Sequence, residues 1–176
     1  MKCAYADPPY LGCACFYRYH HEEAMTWDDP ETHRGLIIRL CDEFPDGWSM
    51  SLSSTTLRTI LPMCPEDVRI GSWVKPFASF KPNVTVAYAW EPIIFRGGRK
   101  LGREVDTVRD WVAENITMER GLTGAKPRGV CRWIFQILGL QPGDEFVDLF
   151  PGTGAVMDAW KEWACEPIDM AGTLFE

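Results

Sequence analysis

Residues 146–154 read Phe-Val-Asp-Leu-Phe-Pro-Gly-Thr-Gly, an apolar run that leads directly into a glycine-containing loop. The apolar residues 146–149 predict a buried strand, and residues 155–163 after the loop predict a helix. Glycines in such a loop let a ligand approach the backbone, and the first turn of the helix supplies free N–H groups. This pattern favours a nucleotide-like cofactor, although ordinary strand-to-helix turns use the same residue types.

A second motif ends the first predicted strand of the chain. Cys3 to Ala6 is a short apolar run, and Asp7-Pro8-Pro9 ends it, because two prolines cannot continue a hydrogen-bonded ladder. The prolines fix φ, so that the Asp7 carboxylate and a proline carbonyl point in set directions. This pair of acceptors suits the two hydrogens of a planar amino group, and Tyr10 offers a ring on which a flipped base can stack. A proline turn with an Asp cap is the structural alternative.

The residues between the two motifs alternate between helix and strand patterns. Residues 30–44 predict a helix, residues 48–52 a strand and residues 56–63 a short helix. Residues 68–74 and 84–95 predict two strands with little helix between them, so we expect them to pair antiparallel at a sheet edge. Apolar residues at helical spacing predict the buried face of the first helix: Leu36, Ile37, Leu40, Cys41 and Phe44.

The segment from Gly97 to Ala125 has the weakest periodicity and is rich in glycine and charge. It predicts a mobile basic loop with a short helix over residues 106–114. Residues 126–140 then predict a helix. The alternation of elements predicts one α/β domain over residues 1–176, with a mostly parallel sheet.

The composition, with 46% hydrophobic and 24% charged residues among 176, fits one compact domain with its own core. The seven cysteines follow no disulfide spacing and the chain starts without an apolar signal segment, so we expect a reducing, cytoplasmic location. No apolar run approaches the ~18 residues that cross a bilayer, so no membrane association is expected. Cys13-x-Cys15 with His20-His21 offers zinc-type donors, but so tight a spacing favours a loop over the substrate, and no metal is expected.

The charge is unevenly distributed along the chain, although its net value is -7. Residues 96–132 carry 9 basic and 5 acidic side chains, and these 9 are half of the 18 Lys and Arg residues. The parts before and after this segment are both acidic overall. A basic segment on an acidic body can follow the phosphates of nucleic acid, although a solvated loop and helix face would have the same composition.

The two motifs together resemble those of S-adenosylmethionine-dependent amino-methyltransferases that act on nucleic acid bases. Asp7-Pro-Pro-Tyr10 is similar to the catalytic motif of that family, and residues 148–154 are similar to its cofactor loop. The order, with the catalytic motif first and the cofactor loop last, is that of the permuted β-type DNA methyltransferases. Further similar segments lie between the motifs: Trp73-Val-Lys75, Trp90-Glu-Pro-Ile-Ile94, Lys126-Pro127 and Pro142-Gly-Asp144.

The resemblance spans residues 3 to about 163 and implies a Rossmann-like methyltransferase fold. In that fold a mostly parallel sheet carries helices on both faces, and here it would be circularly permuted and shortened at the C-terminus. The implied reaction transfers the methyl group of S-adenosylmethionine to the N6 amino group of adenine in DNA. Asp rather than Asn at position 7 favours a base over a glutamine side chain as substrate. Cytosine N4, a modified base and RNA stay as alternatives.

The resemblance also implies roles for individual residues. Asp7 and the Pro8 carbonyl would hold the target amino group, Pro9 would fix the turn, and Tyr10 would stack on the extruded base. The residues expected to contact DNA or the base are Tyr10, Trp27, Arg96, Arg99, Lys100 and Arg103. The residues expected to bind the cofactor are Ala6, Asp7, Lys126, Pro127, Asp148, Leu149, Phe150, Pro151, Gly152, Thr153 and Gly154.

Two departures from the family pattern change these expectations. Residues 165–176 leave little room for the two strands that usually bind the ribose and the adenine, so Glu166 or Asp169 would serve as the ribose acid. Residues 97–125 are too few for a target-recognition domain, as in compact relatives encoded by bacteriophages. We therefore expect relaxed sequence specificity, or a homodimer or specificity partner that reads the DNA. The rival hypothesis is a catalytically decayed relative that binds nucleic acid or a protein.

Overall fold

The computed structural model describes residues 1–19, 23–77, 83–103, 105–117 and 125–166. These residues form a six-stranded sheet with the strand order β5-β3-β4-β2-β1-β6. The strands are β1 (Lys2–Ala6), β2 (Gly47–Ser51), β3 (Arg69–Val74), β4 (Trp90–Gly97), β5 (Trp111–Ala113) and β6 (Glu145–Asp148).

The described strands run in one direction except for β4. The first strand, β1, pairs in parallel with β2 on one side and with β6 on the other, and β3 pairs in parallel with β5. Strand β4 lies antiparallel between β2 and β3, which confirms the predicted antiparallel pairing of β3 with β4. Their predicted place at a sheet edge is wrong, because β5 adds beyond β3. The parallel strands therefore end at one edge of the sheet, which we call the carboxyl edge, and the opposite edge is the amino edge.

Helices cover both faces of this sheet, which confirms the predicted arrangement. Helices α1 (Pro30–Glu43) and α2 (Leu57–Ile60) pack on one face, and α3 (Arg128–Leu138) and α4 (Ala155–Cys165) pack on the other. The core beneath α3 and α4 is mainly aromatic and includes Trp73, Trp133, Phe135, Phe146, Trp160 and Trp163. Within the described ranges, no helix has the length and apolar character needed to cross a membrane.

The predicted helix over residues 106–114 is wrong. Residues 111–113 instead form the short strand β5, which extends the sheet beside β3. Two indole N–H groups anchor this segment, because Trp133 donates to the Arg109 carbonyl at 2.8 Å and Trp73 donates to the Glu114 carbonyl at 2.7 Å. Both bonds come from distant parts of the chain, so the local sequence pattern could not reveal the strand.

Two elements begin later than the sequence pattern predicts. Strand β4 begins at Trp90 rather than at residue 84, because its neighbour β3 ends at Val74 and leaves the earlier residues with little strand to pair with. Helix α3 begins at Arg128, directly after Pro127, rather than at Lys126. Lys126 therefore lies in the connection before the helix, where its side chain reaches the carboxyl edge.

Gly71 in β3 lets α3 pack closely on the sheet. A Cβ at this position would lie 2.9 Å from the Trp133 ring and 3.1 Å from the Asp110 carbonyl oxygen. We expect Gly71→Ala to lower the free energy of unfolding by about 1–3 kcal/mol, because the ring that anchors β5 must shift. Urea denaturation followed by tryptophan fluorescence measures this change.

Gly35 in α1 provides the matched control. A Cβ there meets nothing within 4 Å, so Gly35→Ala should raise the free energy of unfolding by about 0.5–1 kcal/mol through helix propensity alone. Equal stability of the Gly71→Ala variant and the parent protein would contradict the packing described for Trp133.

Candidate active site

Asp7 follows β1 directly and lies at the carboxyl edge. Side chains alternate along a strand, so Asp7 shares the sheet face of Cys3 and Tyr5, which α3 and α4 cover. The connection before α3 brings Lys126 to the same place, and its Nζ lies 2.7 Å from Asp7 Oδ2. The next two residues, Pro8 and Pro9, are buried, and their fixed φ sets the path of the chain as it leaves the strand.

Tyr10 turns back toward Asp7, and its hydroxyl is surrounded by charged groups. The hydroxyl oxygen lies 2.7 Å from Glu91 Oε1 and 3.1 Å from Asp7 Oδ1. Lys126 Nζ donates to the same oxygen at 3.3 Å. Burial raises the pKa of Tyr10, so the hydroxyl keeps its single proton and donates it to one carboxylate at a time. The shorter distance favours Glu91, which holds the tyrosine ring in place.

Sequence reasoning did not include Glu91 among the site residues, although the structure places it beside Tyr10 and Lys126. It lies on β4 opposite Trp73 of β3, and its buried carboxylate accepts from Lys75 Nζ at 2.9 Å and pairs with Lys126 Nζ at 3.1 Å. The Lys75 ammonium also lies 4.3 Å from the centre of the Trp73 ring. A carboxylate next to the apolar residues 92–95 of β4 was the available signal, because a buried charge needs partners.

We call this group of side chains the Asp7 cluster: Asp7, Tyr10, Lys75, Glu91 and Lys126. Burial raises the pKa of Asp7, with a further contribution from the Glu91 charge against the opposing effect of Lys126. Burial acts against the ionised form of Glu91 too, but the two ammonium groups lower its pKa overall. Burial likewise opposes the charged form of Lys126, yet the two carboxylates raise its pKa well above the usual range. The cluster thus places two lysine side chains against two carboxyl side chains, and its opposite charges stabilise one another.

The glycine loop lies one strand away from Asp7. Strands β1 and β6 are adjacent, with Tyr5 opposite Asp148, and the Leu149 N–H donates to the Tyr5 carbonyl at 2.9 Å. The loop thus leaves the sheet at the carboxyl edge beside the Asp7 cluster. The structure brings together the two motifs that the sequence placed at opposite ends of the chain.

Only one of the two carboxylate oxygens of Asp148 has a hydrogen-bond partner among the described residues. Its Oδ1 accepts a hydrogen bond from the Phe150 N–H at 3.1 Å, whereas its buried Oδ2 has no partner among the residues that the structure describes. Burial raises the pKa of Asp148 to about 6. An orphaned carboxylate oxygen at this position can accept a hydrogen bond from a ligand.

The loop itself leaves room for a ligand. Gly152 and Gly154 have φ of +44° and +82°, which are conformations that favour glycine. A Cβ on Gly154 would meet nothing within 4 Å, and one on Gly152 would meet only the Phe150 carbonyl oxygen, at 3.7 Å. Helix α4 then begins at Ala155, so its positive end faces the loop.

Trp27 lies beside the glycine loop rather than in the Asp7 cluster. Its ring meets the Phe150 ring edge-on at a centroid distance of 5.1 Å and the His33 ring at 5.2 Å. The half-buried indole therefore supports Phe150 from α1's side of the sheet. A contact between Trp27 and a base stays a prediction.

The four basic residues predicted to contact the substrate lie away from Asp7. Because β4 runs antiparallel, its last residues and the segment after it lead to the amino edge. There Arg96 pairs with Asp67 at 2.8 Å and Arg99 pairs with Asp144 at 2.8 Å, while Lys100 and Arg103 are exposed in the segment that follows. The structure does not bring these residues to the Asp7 cluster, so their contact with DNA stays a prediction.

The two candidates for the ribose acid also have different positions. Glu166 forms a two-point ion pair with Arg132, at 2.5 and 2.7 Å, so its carboxylate is already engaged. Asp169 lies outside the described residues, as do His20 and His21 of the considered zinc donors.

Solved structures with this fold include two S-adenosylmethionine complexes. The complex of M1.HpyAVI with S-adenosylmethionine (SAM) has a TM-score of 0.57 and 14% identity, over 92% of this chain and 78% of that chain. TTHA0409 from Thermus thermophilus, described provisionally as a DNA modification methylase and complexed with S-adenosyl-L-methionine, has a TM-score of 0.53 and 16% identity, over 93% of this chain and 78% of that chain. The sequence matches no protein-family model and no curated protein.

At these identities the similarity establishes the fold. The chain has the Rossmann-like methyltransferase fold, with a mostly parallel sheet between two layers of helices. Among the strands of the described residues, the one that leads to Asp7 comes first and the one that leads to the glycine loop comes last, in agreement with the permuted order.

Proposed function

We propose that this protein is a methyltransferase that uses S-adenosylmethionine to methylate an exocyclic amino group of a base in DNA, with adenine N6 as the preferred target. The observation that carries the proposal is the position of Asp7-Pro-Pro-Tyr10 and the glycine loop on adjacent parallel strands. They meet at the carboxyl edge, which is where open α/β sheets bind ligands. The complexes of similar fold with S-adenosylmethionine support the choice of cofactor.

The residues around the glycine loop fit this cofactor. The unpartnered Oδ2 of Asp148 would accept from the amino group of its methionine part, and the positive end of α4 suits a carboxylate. The open space over Gly152 and Gly154 would let the ligand lie against the backbone. When bound, the cofactor supplies a methyl group on a positively charged sulfur, which is an excellent leaving group.

The Asp7 side of the site would hold the amino group that receives the methyl. Asp7 and the Pro8 carbonyl offer the two acceptors that a planar amino group needs, and they would fix the direction of its nitrogen. Such positioning can supply most of the rate enhancement of a transfer reaction. Tyr10, whose hydroxyl is held by Glu91, would present its ring for stacking on the base.

Calorimetric titration with S-adenosylmethionine and S-adenosylhomocysteine, followed by transfer of labelled methyl to unmethylated DNA, tests the proposal. Label in N6-methyladenine supports it in full. Label in N4-methylcytosine, or in RNA only, keeps the chemistry and overturns the choice of target. Absence of cofactor binding at millimolar concentration would favour the decayed binding module.

The Asp7 carboxylate should be required for transfer but not for cofactor binding. We expect Asp7→Ala to lower kcat/KM by at least about 10²-fold, because the amino group loses the acceptor that orients it. The dissociation constant for S-adenosylhomocysteine should change by less than about fivefold. Glu43→Gln, which removes an exposed ion pair with Arg39 on α1, is the control and should retain activity. Full activity of Asp7→Ala would show that the site is misassigned.

Cofactor affinity should depend on the ionisation of Asp148. Its pKa is raised to about 6, and the amino group of the cofactor pairs with the ionised carboxylate. Affinity should therefore be constant above this pKa and fall as pH decreases below it, by up to about tenfold per pH unit. Calorimetric titrations between pH 5 and 8 measure the profile, and Asp148→Asn should flatten it. A flat profile for the unmodified protein would contradict this role of Asp148.

A further inference from the structure

The Lys126 ammonium donates hydrogen bonds to Asp7 and Tyr10 and forms an ion pair with Glu91. An ammonium carries three N–H groups, and Nζ lies 2.7 Å from Asp7 Oδ2, 3.1 Å from Glu91 Oε1 and 3.3 Å from the Tyr10 hydroxyl. Its side chain is only 5% exposed, so water does not compete for these donors. The Asp7 carboxylate, the proposed acceptor of the substrate amino group, is therefore occupied by a charged donor from the protein itself.

A neutral amino group can replace the Lys126 ammonium at Asp7 only if the ammonium keeps another negatively charged partner. Hydrogen bonds from an ammonium are stronger than those from a neutral donor, and a buried charge without a partner is costly. Glu91 supplies the required partner, because its buried carboxylate already contacts the same ammonium. The Lys126 Nζ to Glu91 Oε1 distance is 3.1 Å, against 2.7 Å to Asp7 Oδ2, so the ammonium can approach Glu91 more closely as the amino group competes for Asp7.

The rest of the cluster keeps Glu91 ready for this exchange. Lys75 holds Oε2 at 2.9 Å, and the Tyr10 hydroxyl lies 2.7 Å from Oε1, so the carboxylate is fixed from two sides. The other charges nearby are balanced, since Asp7 and Glu91 face Lys75 and Lys126. A small shift of Lys126 toward Glu91 keeps all four charges adjacent, so the charge of the cluster stays balanced while the hydrogen bond to Asp7 lengthens.

We propose that Glu91 is a positioning residue that takes Lys126 from Asp7 when the substrate amino group enters, so that Asp7 becomes a free acceptor. The inference rests on the proposed function, because it requires an amino group at Asp7. This exchange gives Glu91 and Lys126 a role that follows neither from the motif resemblance nor from the structures of similar fold.

Glu91→Gln tests the exchange directly. The amide keeps the size of the side chain and an oxygen that can accept from Tyr10, but it removes the charge that stabilises the displaced ammonium. We expect kcat/KM for DNA to fall by about tenfold or more at saturating cofactor, while the dissociation constant for S-adenosylhomocysteine changes by less than about threefold. Glu91→Asp, which keeps the charge, should recover part of the loss.

The double variant Glu91→Gln with Lys126→Met separates exchange from a structural role. Without the ammonium no charged donor occupies Asp7, so the double variant should have a higher kcat/KM for DNA than Glu91→Gln alone, at saturating cofactor. A purely structural role for Glu91 predicts additive or greater damage instead. A double variant no more active than Glu91→Gln, or an unchanged kcat/KM in Glu91→Gln itself, would overturn the inference.

Asp144→Asn is the matched control for the loss of a buried, ion-paired carboxylate. Asp144 is 6% exposed and pairs with Arg99 at the amino edge, away from the site. The variant should lose stability, and denaturant unfolding shows that each variant is folded. Its kcat/KM for DNA is not compared, because it releases Arg99, which is predicted to contact DNA. Glu43→Gln is the control for kcat/KM and should retain activity. If the unmodified protein transfers no methyl group, the proposed function fails and the inference fails with it. If the unmodified protein is active and the double variant shows no recovery, only the inference fails.

Discussion

The parallel pairing of β1 with β6 is the constraint on which the whole site depends. It aligns Tyr5 with Asp148 and joins strands from opposite ends of the chain. A slip of one residue would turn the β1 side chains to the other face of the sheet and would carry Asp7 away from Lys126. The distance between the two motifs is thus set by backbone hydrogen bonds, which side-chain substitutions in the loops do not alter.

The Asp7 cluster couples several elements through charge. Asp7 follows β1, Lys75 follows β3, Glu91 lies on β4 and Lys126 precedes α3, so the charges balance only when all these elements are docked. Buried ion pairs add little net stability compared with apolar residues of similar size. The two apolar cores on either side of the sheet must therefore supply most of the stability that holds the charged cluster in place.

The sequence patterns correctly predicted the strands and helices that depend on residues close together in the chain. The strand that ends at Asp7, the helix after Asp29 and the strand before the glycine loop all follow from apolar periodicity, prolines and caps. Strand β5 could not be predicted, since bonds from Trp73 and Trp133 hold it.

The basic residues show a further limit of sequence reasoning. Their spacing along the chain placed them near the substrate, but the antiparallel direction of β4 carries Arg96 and Arg99 toward the amino edge. Glu91 was missed for the opposite reason. It lies near the site, but the residues that show this, Lys75 and Lys126, contact it only in the folded structure. The two halves of the site also differ in their hydrogen bonds. Asp148 has an oxygen without a partner among the described residues, whereas Asp7 Oδ2 accepts from the Lys126 ammonium. In the proposed function, the cofactor would therefore supply a missing partner to Asp148, whereas the substrate amino group would compete with Lys126 for Asp7.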